Sequence, residues 1–179
     1  FNGEIYNYLE LKDELIKKKL KFETTSDTEV LLKYLNYYGI KNLNKIHGMW
    51  SFAYYSKKNN KFYLCRDKFG EKPLFFHLDK NKKNLIFGSN VNYIRKLSRT
   101  KFKIDDEKIY DFLLGGFRQV FQGNKTFFKK INFVRPGELI EINERFSIKI
   151  NTVEIFIILH FLHIISNSFF FLFNRFFKR

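Results

Sequence analysis

Asn2 and Gly3 stand side by side in the opening run Phe1-Asn2-Gly3-Glu4-Ile5-Tyr6-Asn7, and together they offer a carboxamide and a sterically open backbone N–H. Two such donors can be aimed at one oxygen, the arrangement that stabilises the tetrahedral oxyanion of amide hydrolysis. The same dipeptide is the commonest hairpin turn, so local sequence leaves a turn and a site both open. Further along, Ser26-Asp27-Thr28-Glu29 has the spacing of a capping box. It sets Asp27 in a first helical turn, where a carboxylate is either a helix-end charge or a ligand group. Cys65, the single cysteine, lies in the β-like stretch Phe62-Tyr63-Leu64-Cys65-Arg66 and reads as a small buried hydrophobe. One cysteine excludes an internal disulfide and fits a reducing compartment. His47 before Gly48 reads as a loop residue, and the four histidines show no metal-ligand spacing.

These groups need a scaffold, and periodicity outlines one. Leu9, Leu11, Leu15, Ile16 and Leu20 predict an amphipathic helix over residues 8–20. The capping box starts a second helix that stops near Gly39, and Ile40, Leu43 and Ile46 predict a short third. From Met49 the period becomes alternating: Trp50, Phe52 and Tyr54 share a face, 57–60 turn, and Phe62, Leu64 and Arg66 follow on the next strand. Strands at 74–78 and 85–87, a helix at 90–97, and another from Asp105 to Gly115-Gly116 carrying Ile109, Phe112 and Leu113 come next. Residues 127–133 and 138–142 read as a last strand pair around Arg135-Pro136-Gly137. Mixed strands and helices of this kind predict an α+β fold.

The whole heptad resembles the glutaminase domain of glutamine-dependent asparagine synthetases, which are class II amidotransferases. The likeness continues, in family order, through Ser26-Asp27-Thr28-Glu29-Val30, Gly48-Met49-Trp50-Ser51-Phe52-Ala53, Arg66-Asp67-Lys68-Phe69-Gly70-Glu71-Lys72-Pro73-Leu74, Phe87-Gly88-Ser89 and Arg135-Pro136-Gly137-Glu138-Leu139. It implies the four-layer α/β/β/α sandwich of N-terminal-nucleophile hydrolases, incomplete at its N-terminus. It implies glutamine as substrate and ammonia passed to ATP-driven amidation of aspartate. On that likeness Asn2 and Gly3 form the oxyanion hole, and Glu4 and Asp27 join them in gripping glutamine, a carboxylate pairing its α-ammonium.

The family's nucleophile is a cysteine at the mature N-terminus, so Cys65 does not stand in for it. The expectation is therefore a truncated chain, inactive alone, lacking the segment with the nucleophile and the Ser-Gly-Gly-x-Asp pyrophosphate loop of the synthetase domain. No cofactor is expected in this domain; ATP and Mg2+ belong to the missing synthetase domain. The family's Phe-Ala-Ser-Glu appears as Phe87-Gly88-Ser89-Asn90, which removes a carboxylate. Arg66-Asp67 reads as a strand end and tight turn with a paired Arg and Asp rather than as a catalytic element. A related amidotransferase with another acceptor, and a degenerate non-catalytic domain, are the competing readings.

The length of 179 residues suits one domain, assigned to 1–150. The formal charge of +15, from 33 Lys plus Arg against 18 Asp plus Glu, is spread along the chain with no basic-aromatic stripe, so nucleic acid is not an expected partner. Residues 151–179 fall outside the likeness; 155–173 contain no Asp, Glu, Lys or Arg. That tail is read as an out-of-frame or non-homologous extension in preference to a membrane span or a partner-binding helix. A cytoplasmic enzyme without membrane attachment is expected, with a homodimer of the full-length protein left open.

Overall fold

Leu11 and Leu15, one helical turn apart, are buried where α1 (Tyr8–Lys17) meets α2 (Asp27–Tyr38), which buries Val30, Leu31, Tyr34 and Leu35. The structure, a computed structural model, describes residues 1–81, 83–121 and 123–153. Helix α1 stops short of residue 20 because Lys19 turns to φ 66°. The N–H groups of Lys19 and Leu20 then bond back to the carbonyls of Ile16 and Leu15, a Schellman closure. Ser26 caps α2 by accepting the Thr28 N–H at 3.2 Å. Glu29 does not reach back to Ser26, as a capping box would have it. It accepts the N–H groups of Glu23 and Thr24 at 3.0 and 2.7 Å and pairs with Lys33 at 2.7 Å. The Lys33 ammonium first, and then the Thr24 hydroxyl, hold its carboxyl down from an ordinary 4.5 to about 2.

The described strands are β1 (Asn2–Ile5), β2 (Gly48–Ser56), β3 (Lys61–Arg66), β4 (Phe75–Asp79), β5 (Asn84–Gly88), β6 (Asn132–Phe133), β7 (Glu138–Ile142) and β8 (Ile148–Thr152). They form two antiparallel sheets, ordered β1-β2-β3-β7-β8 and β5-β4-β6. Alternation sends Trp50, Phe52 and Cys65 into one core with α1 and α2. It sends Leu64 and Ile140 into a second core with Leu74 and with Phe76 of the smaller sheet's β4. The larger sheet therefore lies between a helical layer and another sheet. Helix α3 (Val91–Ser98) rests on β4 and β5 with Ile94 buried, and α4 (Asp106–Gly115) runs into a 3-10 segment over Gly116–Phe121. The result is the expected α+β class with antiparallel sheets. Among the described residues no helix is long and apolar enough to cross a membrane; the tail beyond 153 lies outside them.

Several expectations change. Asn2-Gly3 is not a turn but part of strand β1. The supposed pair 127–133 and 138–142 does not form: β6 spans two residues and joins β4, whereas β7 joins β3 and β8. The Thr126 hydroxyl accepts the Phe128 N–H at 3.1 Å and Lys130 adopts φ 68°, so this segment curls rather than extends. Strand β8 was not anticipated, and Leu113 of α4 faces outward at 72 % exposure.

Candidate active site

Strand β1 is the outer strand of its sheet, and two glycines let it lie unusually close to β2. Gly3, at φ 143°, is paired with Trp50, and a Cβ there would sit 2.1 Å from the Met49 carbonyl oxygen. Gly48, at φ 141°, is paired with Ile5, and its Cβ would sit 2.1 Å from the Glu4 carbonyl oxygen. The two approaches are reciprocal. No side chain fits at either place, and the backbone conformation is itself one that glycine adopts freely.

Hydrogen-bond direction along β1 then decides which donors are open. Tyr6, just past the strand, donates its N–H toward β2, to the His47 carbonyl at 2.8 Å. Ile5 donates the other way, to Oδ2 of Asp27 at 3.1 Å. Residues two apart on an antiparallel strand direct their N–H groups to the same side, so the Gly3 N–H leaves from the open edge that Asp27 also faces. Side chains alternate likewise. Ile5 is fully buried in the helix-side core, which puts Asn2 and Glu4 on the opposite face, where both are exposed. Asn2 stands there in register with Ser51 of β2, and Ser51 with Arg66 of β3.

The fold thus gathers the candidate residues unevenly. Asn2, Gly3 and Glu4 are contiguous on the edge strand, and the first turn of α2 brings Asp27 to that strand from 22 positions away. Oδ1 of Asp27 accepts the Thr28 hydroxyl at 3.3 Å. Its hydrogen bonds reach Ile5 and Thr28. Asp27 is half-buried and is the first helical residue rather than the cap, which is Ser26.

Three supporting residues carry no role at the site in the sequence reading, where Asp67 was only a turn residue paired with Arg66. Asn7 clamps the exit of β1, its Oδ1 accepting the His47 N–H and its Nδ2 donating to the Lys45 carbonyl, both at 2.9 Å. Gly48 supplies half of the close approach. Asp67 is 1 % exposed and accepts the N–H groups of Trp50, Phe69, Glu71 and Lys72 at 3.0 to 3.3 Å. Its own N–H donates to the Trp50 carbonyl at 2.8 Å, so Asp67 grips the β2 residue that lies opposite Gly3. The only advance signal for Asn7 and Asp67 was their place inside ordered motif blocks.

Arg66 is not paired with Asp67 in the way its sequence suggested. Its guanidinium donates to the carbonyls of Lys72 and Val134, at 2.7 and 2.9 Å, and of Gly70; burial lowers its pKa, opposed by the nearby Asp67 charge. Gly70 lies against Pro136, and Gly137 donates to the Asp67 carbonyl at 2.8 Å. Two blocks that are far apart in sequence therefore lock together behind β2. Cys65 is fully buried, and burial pushes its thiol pKa up, away from thiolate character. Asn90, which replaces the family carboxylate, caps α3 by accepting the Asn92 N–H at 2.8 Å. Among the described residues no group of three or more His, Cys, Asp and Glu could hold a metal ion. A groove of about 520 Å³ lies elsewhere, between the end of α2 and the β2–β3 hairpin, and none of the four candidate residues lines it.

Comparison with known proteins adds a second line of support. The family described as the glutamine amidotransferase domain matches residues 1–151. Glutamine-hydrolyzing asparagine synthetase 1 of Bacillus subtilis is 47 % identical over 113 residues, covering 63 % of this chain and 17 % of that protein. Glutamine-hydrolyzing asparagine synthetase 2 of the same organism is 38 % identical over 144 residues, covering 79 % of this chain and 19 % of that protein. A solved structure of glutamine phosphoribosylpyrophosphate amidotransferase from B. subtilis, complexed with ADP and GMP, matches with a TM-score of 0.58 at 19 % identity. It covers 86 % of this chain and 28 % of that one, a likeness of fold. The chain spans roughly a fifth of the length of the asparagine synthetases it matches.

Proposed function

We propose a function from one premise: the chain belongs to the glutamine amidotransferase domain family, whose match spans residues 1–151. It matches the glutaminase region of asparagine synthetases, the region that in the whole enzyme releases ammonia from glutamine for ATP-driven conversion of aspartate to asparagine. The observation that supports the site assignment is the Ile5 N–H bond to Asp27, from which strand alternation gives the direction of the Gly3 N–H. That Gly3 N–H leaves an open sheet edge beside the Asp27 carboxylate, held there by the Ile5 N–H at 3.1 Å.

The chemistry follows from those positions. A cysteine thiolate attacks the side-chain amide carbon of glutamine, and the carbonyl oxygen becomes an oxyanion. The Gly3 N–H and the Asn2 carboxamide donate to that oxygen, a contribution that grows as charge develops. The α-amine of that cysteine, having taken the thiol proton, gives it to the amide nitrogen, so that collapse expels ammonia and leaves a thioester. Water then attacks the thioester, giving glutamate and freeing the thiol. Asp27, with Glu4, holds the α-ammonium of glutamine and so sets the amide against the donors. Cys65 is too deeply buried to be the nucleophile, which the proposal assigns to the cysteine that the family places upstream of Phe1. ATP and Mg2+ belong to the synthetase region of such an enzyme. The single buried cysteine accords with a cytoplasmic setting.

The test is glutamate release. Residues 1–179 alone should release none, and activity from this chain would overturn the upstream assignment. With the family's upstream segment restored, Asn2→Ala should lower kcat by about 100-fold while leaving KM near its starting value. An unchanged kcat removes Asn2 from the oxyanion hole.

A further inference from the structure

The groove of about 520 Å³ between the end of α2 and the β2–β3 hairpin takes no part in the glutamine site. Tyr37, Tyr38, Tyr54 and Tyr63 line it, with Asn36 on α2 and the adjacent Lys57 and Lys58 at the hairpin turn. No Asp or Glu is among the described residues that line it. Its walls are held in place by the fold. Tyr54 stacks on Tyr63 with 6.1 Å between ring centres, and its hydroxyl donates to Oδ1 of Asn36 at 2.7 Å. The Tyr38 hydroxyl donates to Glu14 of α1 at 2.6 Å, and the Tyr38 carbonyl accepts Nδ2 of Asn42 at 2.7 Å. Tyr37 meets Tyr38 edge-on at 4.7 Å, a geometry that leaves at least one face of Tyr37 uncovered by its partner. Tyr37 is 49 % exposed. Asn36 spends its Oδ1 on Tyr54 and keeps both Nδ2 hydrogens for a ligand. Lys57 and Lys58 are exposed and enter no ion pair among the described residues.

We propose that this groove binds a mononucleotide, with the base against Tyr37 and the phosphate at Lys57 and Lys58. Three features select that class of ligand. An open tyrosine face stacks on any base. The Asn36 amide hydrogens meet the nitrogen and carbonyl acceptors on a base edge. Two adjacent lysines, in a groove with no carboxylate in its lining, meet a phosphate. A sugar phosphate supplies no base to stack, and a neutral aromatic leaves the lysines without a counter-charge. The formal charge of +15 draws an anion of this kind toward the chain as a whole, and the tyrosines fix where it rests. The volume is within the range of small-molecule sites. The assignment is independent of the glutaminase reading: Asn2, Gly3, Glu4 and Asp27 are absent from the lining, and Asp27 begins the helix whose other end meets the groove.

Isothermal titration calorimetry of the chain 1–179 tests the site, with AMP as the probe. AMP should bind at one site, and UMP within roughly tenfold of it, because stacking tolerates either base. Adenosine, without the phosphate, and ribose 5-phosphate, without the base, should each bind at least about tenfold more weakly than AMP. Tyr37→Ala should weaken AMP by about tenfold, whereas Tyr37→Phe keeps the ring and should keep the affinity. Lys57→Ala with Lys58→Ala should weaken AMP to a similar degree and remove most of the salt dependence of its binding. All three side chains are exposed, and emission from Trp50, the single tryptophan and 2 % exposed, verifies that each variant is folded. Absence of AMP binding at millimolar concentration overturns the proposal. So does adenosine or ribose 5-phosphate binding as tightly as AMP, and so does full AMP affinity in both Tyr37→Ala and the lysine variant. A single-stranded oligonucleotide that binds more tightly than AMP overturns it in favour of nucleic acid.

Discussion

Asp27 and Asp67 are two carboxylates that accept backbone N–H groups, and they differ in how completely they are used. An ionised carboxylate offers about four acceptor sites. Asp67, 1 % exposed, takes four N–H groups, from Trp50, Phe69, Glu71 and Lys72. Asp27, half-buried, takes one N–H, from Ile5, and the hydroxyl of Thr28. A saturated carboxylate has nothing left for a ligand and works as a fastener. One with capacity remaining, fixed in position by a single strong bond and open to solvent, is placed to receive an ammonium group. Both residues sit inside motif blocks, and the difference that the sequence reading drew between them, ligand group against turn residue, agrees with their bonding.

The contrast predicts opposite outcomes for the two residues. Asp67→Ala leaves four backbone donors without their acceptor and should lower unfolding free energy by about 3 to 5 kcal/mol, read by urea denaturation. A midpoint equal to the parent would mean water replaces the carboxylate and the fastener role is wrong. Gly3→Ala comes next, at about 2 to 3 kcal/mol, because the added methyl meets backbone rather than a side chain that can move. Its signature is faster amide exchange at Tyr6, whose N–H bond to His47 closes the β1–β2 pair. Retained slow exchange there would show that β1 tolerates the methyl.

Asp27→Asn should cost at most about 1 kcal/mol of stability, while raising the KM for glutamine in the enzyme with its upstream segment restored. A normal KM returns Asp27 to helix-end electrostatics. The smallest effect belongs to Glu29→Gln and depends on pH. The Glu29 carboxyl is depressed in the folded chain from 4.5 to about 2, so its contribution is fully present above about pH 4.5. It is lost as pH falls toward 2. The Tm gap between parent and variant should close across that window; a gap of constant size would show that the Glu29 charge is not what ties residues 23 and 24 to α2.

Much of this architecture is legible in sequence where one face is buried and the other wet. The spacing of Leu11 and Leu15, Ser26 ahead of α2, Gly39 after it and the alternation through Trp50 and Phe52 each correspond to an observed element. Legibility fails where burial does not sort the side chains. Strand β8 alternates Ile148 and Ile150 with Lys149 and Asn151, yet both isoleucines remain substantially exposed, so no core demanded the pattern. Residues 127–133 carry enough Phe and Ile to read as a strand, but the bend comes from the Thr126 hydroxyl and the backbone of Lys130. Helix α4 forms over the expected span, but of the three residues it was expected to carry, Leu113 is 72 % exposed. Asn2, Gly3 and Asp27 stand out by residue type and spacing, and Glu4 and the roles of all four came through resemblance; the direction of the Gly3 N–H needed the register of β1 against β2.

The reciprocal close approach of Gly3 and Gly48 also acts as a key for that register. Each glycine hydrogen occupies the only space left under a carbonyl oxygen of the opposite strand. A slip of one residue would bring Asn2 or Glu4, each with a Cβ, to that position, and would move Ile5 from the core to the other face. It would also turn the Gly3 N–H inward, into the ladder. Two glycines 45 positions apart thus behave as one heritable unit, in which neither can change alone and both decide which amides the edge of the sheet leaves free.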